Sequence, residues 1–318
     1  SARDTSFTLD CRDRSTVSHN SAKESSPLRY RIIHTTTYQY SEPVPVCHNL
    51  LRLSPRETAY TNCTSHRMLI RPAPQRVSRR KDWFGNMIQS FSLDESHRKL
   101  QLTATSRVTV TPQNVPEAAQ TPKWEDVAAG VRDQSIGGWF DVIEFVFDSS
   151  LAHCDTSFSE YAADCFTPGQ TVLSGAVALM TKIFKEFKYD PRATTVVTRP
   201  DEALAEKHGV CQDFAHVAIS CLRSIGLPAR YVSGYLRTLP PPGKPRLIGA
   251  DASHAWFSVW CGEAGWIDLD PTNDKICGTD HIPIAWGRDY SDVAPIRGVF
   301  TGGGQHTLNV SVDVQPLT

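Results

Sequence analysis

The sequence predicts a mixed protein in which a β-rich, sandwich-like N-terminal region precedes a region built from both helices and strands. Two observations carry this expectation. Between Tyr30 and Pro112, short runs of β-prone residues recur between turn signals. From Val172 onward the apolar spacing changes to that of a helix. A chain of 318 residues is long enough for two domains and a substantial core.

Residues 1–27 are rich in Ser, Arg, Asp and Lys and read as a disordered arm. Tyr30, Ile32, His34, Thr36, Tyr38 and Tyr40 then alternate with Arg31, Ile33, Thr35, Thr37 and Gln39, the period of a strand. Similar runs at 48–54, 66–71, 87–93 and 100–110 are separated by Ser41-Glu42-Pro43, Arg71-Pro72-Ala73-Pro74 and Phe84-Gly85-Asn86. Residues 113–170 form a linker and a connecting helical segment, in which Trp139, Phe140, Phe145 and Phe147 are expected to pack between layers. Val172, Leu173, Ala176, Val177, Met180, Ile183, Phe184 and Phe187 define a helix that stops at Tyr189-Asp190-Pro191. A short helix at 201–207 leads into a second long one bearing Phe214, Val217, Ala218, Cys221, Leu222 and Ile225, closed by Gly226 and Pro228. Strands follow at 229–236, 255–260 and 266–269, with a Pro-rich loop at 239–245. The expected division is an arm at 1–27, a β-rich domain at 28–112, the connecting segment at 113–170 and a core at 171–318.

A formal net charge of -1 and a pI of about 6.8 give no overall pull toward nucleic acid or anionic membrane. The apolar runs are too short for a spanning helix, and the first residues lack a secretory signal pattern. Nine cysteines, an odd number without framework spacing, point to a reducing compartment and mostly inert thiols, so a cytoplasmic location is expected. Cys-x-x-Cys and His-Glu-x-x-His patterns are absent, and no metal or cofactor is implied.

The most informative stretch is His208-Gly209-Val210-Cys211-Gln212-Asp213-Phe214-Ala215-His216. It sets Cys211 just after a glycine, at a helix start, where unpaired N–H groups and the helix dipole favour thiolate over thiol. A lone cysteine is ordinarily a small buried hydrophobe, and the other eight keep that reading. His254, in Ser253-His254-Ala255-Trp256, has the chemistry of a general base toward that thiol. His216 is a rival five residues along the helix from Cys211, which puts it on a different face, so packing is its expected role. An aspartate would orient the His254 ring. Asp268 and Asp270 share a strand face with Trp266, and period alone does not choose between them. The Cys211 N–H is a candidate oxyanion donor. Gln212, Asp213, Tyr235 and Trp256 are candidate substrate-binding residues, with Trp266 a further candidate for core or site wall.

These residues resemble the bacterial transglutaminase-like family. The resemblance is carried by Gly209-Val210-Cys211-Gln212-Asp213-Phe214-Ala215-His216, by Leu227-Pro228-Ala229-Arg230-Tyr231-Val232-Ser233-Gly234-Tyr235-Leu236, by Ser253-His254-Ala255-Trp256, and by Asp270-Pro271-Thr272-Asn273. His281-Ile282 and Ala285-Trp286-Gly287-Arg288-Asp289-Tyr290 add to it, and the region from Tyr30 to Val110 is similar to the β-rich domain that precedes the core in such proteins. The resemblance spans roughly residues 28–318. It implies an α+β fold with a papain-like core, a helix carrying Cys211 packed on an antiparallel sheet carrying His254 and the aspartate. The family pattern assigns the aspartate before Pro-Thr-Asn to the triad, which carries over to Asp270. No calcium requirement is implied.

The family supports crosslinking, amide hydrolysis and other acyl transfers through one thioester intermediate. The expected function is therefore a cysteine-dependent hydrolase or acyltransferase acting on an amide bond of a protein or peptide, with water the favoured acceptor. Transfer onto an amine is the alternative. A catalytically silent binding module, from another class, would need none of the three residues.

Overall fold

The computed structural model describes residues 26–190, 198–238 and 252–317. Nearly all of the N-terminal arm and the Pro-rich stretch at 239–245 lie outside the described residues. Six strands come first: β1 (Leu28–Val44), β2 (Cys47–Leu51), β3 (Thr61–Arg71), β4 (Val77–Lys81), β5 (Met87–Leu93) and β6 (His97–Val110). Helices α1 (Trp124–Arg132), α2 (Trp139–Val142), α3 (Thr156–Ala162) and α4 (Val172–Glu186) follow. Then come β7 (Lys188–Tyr189), α5 (Pro200–Glu206), β8 (His208–Gly209) and α6 (Cys211–Ser224). The chain continues through β9 (Ala229–Leu236), β10 (Ala252–Trp260), β11 (Trp266–Asp270), β12 (Lys275–Ile276) and β13 (His281–Gly287). It ends with α7 (Tyr290–Val293), β14 (Ile296–Phe300) and β15 (His306–Leu317).

The fold is α+β. Two four-stranded antiparallel sheets, ordered β15-β1-β6-β3 and β14-β2-β5-β4, enclose a core that includes Leu51, Phe91, Leu100 and Leu102. This is the sandwich that the alternating strands call for. A third antiparallel sheet, β12-β11-β10-β9-β13, carries α6 on one face. Val217, Ala218, Cys221 and Leu222 of α6 meet Ala229, Tyr231, Phe257 and Val259 there, because alternate strand residues share a side and the helix period supplies a matching stripe. Tyr30, Ile32, Val108, Val312 and Val314 pack against Tyr235, Ile282 and Ile284, so the sandwich and the third sheet share a hydrophobic seam. Among the described residues, no helix is long and apolar enough to cross a membrane.

Residues 296–317 depart from the expected division. β14 pairs with β2 and β15 pairs with β1, so the end of the chain completes both sheets of the N-terminal sandwich instead of extending the core. Period-two alternation identifies a strand but not its partner, which here lies about 245 to 288 residues away. The aromatic cluster also differs from expectation. Phe145 is buried against Phe84 and Trp266, whereas Phe140 is 85% and Phe147 60% exposed.

Gly234 sits opposite His254 in the β9–β10 ladder. A Cβ there would fall inside contact distance of both the Trp256 ring and the Ile282 carbonyl, which is backbone and has little room to give. Gly234→Ala is therefore expected to destabilise the fold by about 1–3 kcal/mol, the usual range for overpacking, as measured by the urea midpoint at unchanged slope.

Candidate active site

α6 begins at Cys211, and the local sequence explains why it begins there. The Asp213 carboxylate reaches back to accept the Val210 N–H at 2.8 Å, capping the first turn. Gly209 leaves space for that carboxylate, since a Cβ on it would come to 2.6 Å from Asp213 Oδ2. Asp213 is thus engaged in the helix start. Cys211 itself is partly exposed, unlike Cys221, Cys261 and Cys277, which are buried.

His254 lies near the start of β10, and Asp270 at the end of β11. His254 Nε2 is 2.7 Å from Asp270 Oδ2, which leaves Nδ1 as the ring nitrogen available to the neighbouring Cys211 sulfur. Burial opposes charge on the imidazole, yet the Asp270 carboxylate, the bond to it and the Cys211 sulfur together raise its pKa to about 10. Burial would likewise push the Asp270 carboxyl up, but His254 and His281 hold it well below the usual carboxylate range.

Asp270 is fully buried and surrounded by donors. Its Oδ1 accepts the N–H groups of Thr272 at 2.9 Å and Asn273 at 3.3 Å, an arrangement that Asp-Pro-Thr-Asn favours because Pro271 fixes the turn. Its Oδ2 also receives Asn273 Nδ2 at 2.7 Å and His281 Nε2 at 3.1 Å. Asn273 was legible as part of a motif, although not in this role. His281 was legible only as part of the His281-Ile282 resemblance, and its contact with Asp270 depends on the pairing of β13 with β9.

The structure also separates the two aspartates. Asp268 accepts the Tyr60 hydroxyl at 2.9 Å and so joins β11 to the N-terminal sandwich. His216 is buried, its Nε2 accepts the Tyr290 N–H at 3.2 Å, and burial lowers its pKa to about 4. That is the environment of a neutral packing histidine.

Cys211, Gln212 and His254 line a cleft of about 500 Å³. Tyr231, Ser233 and Tyr290 contribute to it from the core, and His34, Thr36, Tyr38, Leu308, Val310 and Val312 from the sandwich. Tyr235 and Trp256 lie outside the cleft lining. The Tyr235 hydroxyl bonds His34 Nδ1 at 2.8 Å across the seam, and Trp256 is buried with its ring edge-on to His281. Trp266 packs with Phe145 and beneath the Arg230 guanidinium.

The model for the bacterial transglutaminase-like N-terminal region matches residues 30–109, and that for the transglutaminase-like superfamily matches residues 159–271. A protein of Mycobacterium tuberculosis is 40% identical over 298 residues, covering 92% of this chain and 94% of the relative. One from Mycobacterium leprae is 32% identical over 295 residues, covering 91% and 99%. A protein-glutamine gamma-glutamyltransferase of Pseudomonas aeruginosa is 33% identical over 103 residues, which is 30% of this chain and 15% of that protein. The crystal structure of a cysteine protease candidate from Cytophaga hutchinsonii superposes with a TM-score of 0.73 over 92% of both chains at 22% identity, a likeness of fold. The chain belongs to the bacterial transglutaminase-like family, and its core has the papain-like transglutaminase fold.

Because the folded pKa of His254 lies above the ordinary 6.5, its contribution to stability is complete below about pH 6.5 and is lost as the pH rises toward 10. Asp270→Asn removes the main source of that shift. In this variant the His254 ring is expected to titrate at least about two pH units lower than in the parent, followed through its ring-proton NMR resonances.

Proposed function

We propose that this protein is a cysteine-dependent enzyme acting on an amide bond of a protein or peptide, through a thioester on Cys211. The observation that carries the reading is a partly exposed thiol at a helix start and an imidazole held by a buried carboxylate, the thiol and imidazole both lining one cleft. His254, whose raised pKa suits it to hold the thiol proton, carries that proton as the Cys211 sulfur bonds to the carbonyl carbon. It returns that proton to the departing amine as the C–N bond breaks. Asp270 fixes the ring and stabilises its charge. The Cys211 N–H lies at the first helical position, where the helix offers it no acceptor, and is the donor assigned to the developing oxyanion. Water then attacks the thioester, giving up a proton to His254, and the acid leaves as the thiol re-forms.

Water is favoured over an amine on charge grounds. A lysine arrives as an ammonium ion, and the described cleft lining offers no carboxylate to draw it in. Transfer onto an amine is the second reading, supported by the likeness to the Pseudomonas aeruginosa glutamyltransferase. A silent binding module would not require the carboxylate, imidazole and thiol to be aligned. The eight described cysteines are all free.

Turnover can be followed on casein with a small primary amine in ¹⁸O-labelled water. Hydrolysis places label in the product, whereas transfer adds the mass of the amine. Cys211→Ala is expected to lower turnover by at least about 10⁴-fold while the unfolding transition is retained. Full activity in that variant would end the proposal.

A further inference from the structure

The sandwich supplies one wall of the cleft, and its chemistry narrows what enters. Three cross-strand pairs of the β1–β15 ladder make this wall: His34 with Val312, Thr36 with Val310, and Tyr38 with Leu308. Their side chains share one face of the sheet because strand residues alternate. Leu308 is 55% and Val310 50% exposed, although both line the same cleft as Cys211 and His254. Two adjacent aliphatic side chains left half in water beside a nucleophile form a surface that gains from being covered. Pro295 and Ile296 extend the apolar surface. Among the described residues lining the cleft there is no Asp, Glu, Lys or Arg. His34 adds no cation, since burial lowers its pKa to about 4. A charged side chain entering here would lose water and meet no opposite charge on this wall.

We infer that Leu308 and Val310 form a specificity-determining subsite of the cleft, which receives an uncharged apolar or aromatic side chain flanking the attacked carbonyl. The substrate is thereby a polypeptide segment with an apolar residue beside the reacting amide. This rests on the reading of Cys211 as the nucleophile. It adds to that reading a task for the N-terminal sandwich, which selects substrate in addition to supporting the core.

The subsite can be tested without a known substrate, using two alkylating reagents that differ only in an apolar group. Iodoacetamide presents a bare amide to Cys211, and iodoacetanilide presents the same electrophile carrying a phenyl ring. The ratio of the two rates at Cys211, read by peptide mass spectrometry, is divided by the ratio for glutathione to remove intrinsic reactivity. The parent protein is expected to favour the anilide by about tenfold, within the range for burying a phenyl group. The Leu308→Ser, Val310→Ser double variant is expected to bring the ratio close to that of glutathione. Both residues are half-exposed, so the variant retains its core, and its iodoacetamide rate reports whether the nucleophile is intact. A parent ratio equal to that of glutathione overturns the subsite and leaves the nucleophile reading standing. So does a high ratio that the double variant keeps. A Cys211 that reacts with neither reagent overturns both.

Discussion

The arrangement around Cys211 depends on one buried carboxylate. An isolated charge at the position of Asp270 would be prohibitively unfavourable, and it persists because every direction around it supplies a donor. Those donors come from three separate pieces of chain. The turn after β11 gives two backbone N–H groups and the Asn273 amide, β10 gives His254, and β13 gives His281. The carboxylate can be buried in its ionised form only when the third sheet has assembled in register. The orientation of His254 is in this sense a property of the whole sheet, and the ring cannot be held by any local segment alone.

The two faces of that sheet divide the work. Phe257, Val259, Ile267 and Leu269 turn toward α6 and supply the apolar contact that fixes the helix in place. The alternate residues carry the polar groups. Asp268 and Asp270 occupy equivalent positions two residues apart, yet their partners give them different tasks. Tyr60 comes from the sandwich to meet Asp268, and His254 meets Asp270. Arg230, buried and with its pKa lowered by desolvation to about 10, stands near Asp268 and stacks on Trp266 and Trp286. One aspartate therefore serves the junction between layers and the other serves the histidine.

Much of this was legible in the sequence. The β9 strand, the start of α6 at Cys211 and the long helix after Val172 follow from periodicity and stop signals over short distances, where local physics decides the outcome. His216 was separated from His254 by helix geometry alone. The choice between Asp268 and Asp270 was not available from period, since the two lie on the same face. It depends on which residue each meets across the sheet and the seam. The contacts of Tyr60 and the cleft-lining residues of β15 were hidden for the same reason, because each acts through a partner far away in the chain. β4 was missed on other grounds. Its five residues are all exposed, so no apolar alternation marks it.

The placement of β15 ties the cleft to the construction of the sandwich. Its pairing with β1 runs unbroken from Arg29 opposite Leu317 to Tyr40 opposite His306. A slip of one residue along β15 would exchange its faces, turning Leu308 and Val310 away from Cys211 and bringing in Thr307, Asn309 and Ser311. The buried seam opposes such a slip, because Val312 and Val314 would leave the contact with Tyr235, Ile282 and Ile284. On β1, the bond between His34 and Tyr235 fixes the partner strand against β9. The same hydrophobic contacts that join the sandwich to the core thus also determine which side chains face the thiol. The first and last strands of the chain therefore shape the cleft, although they contribute nothing to the alignment of cysteine, histidine and aspartate.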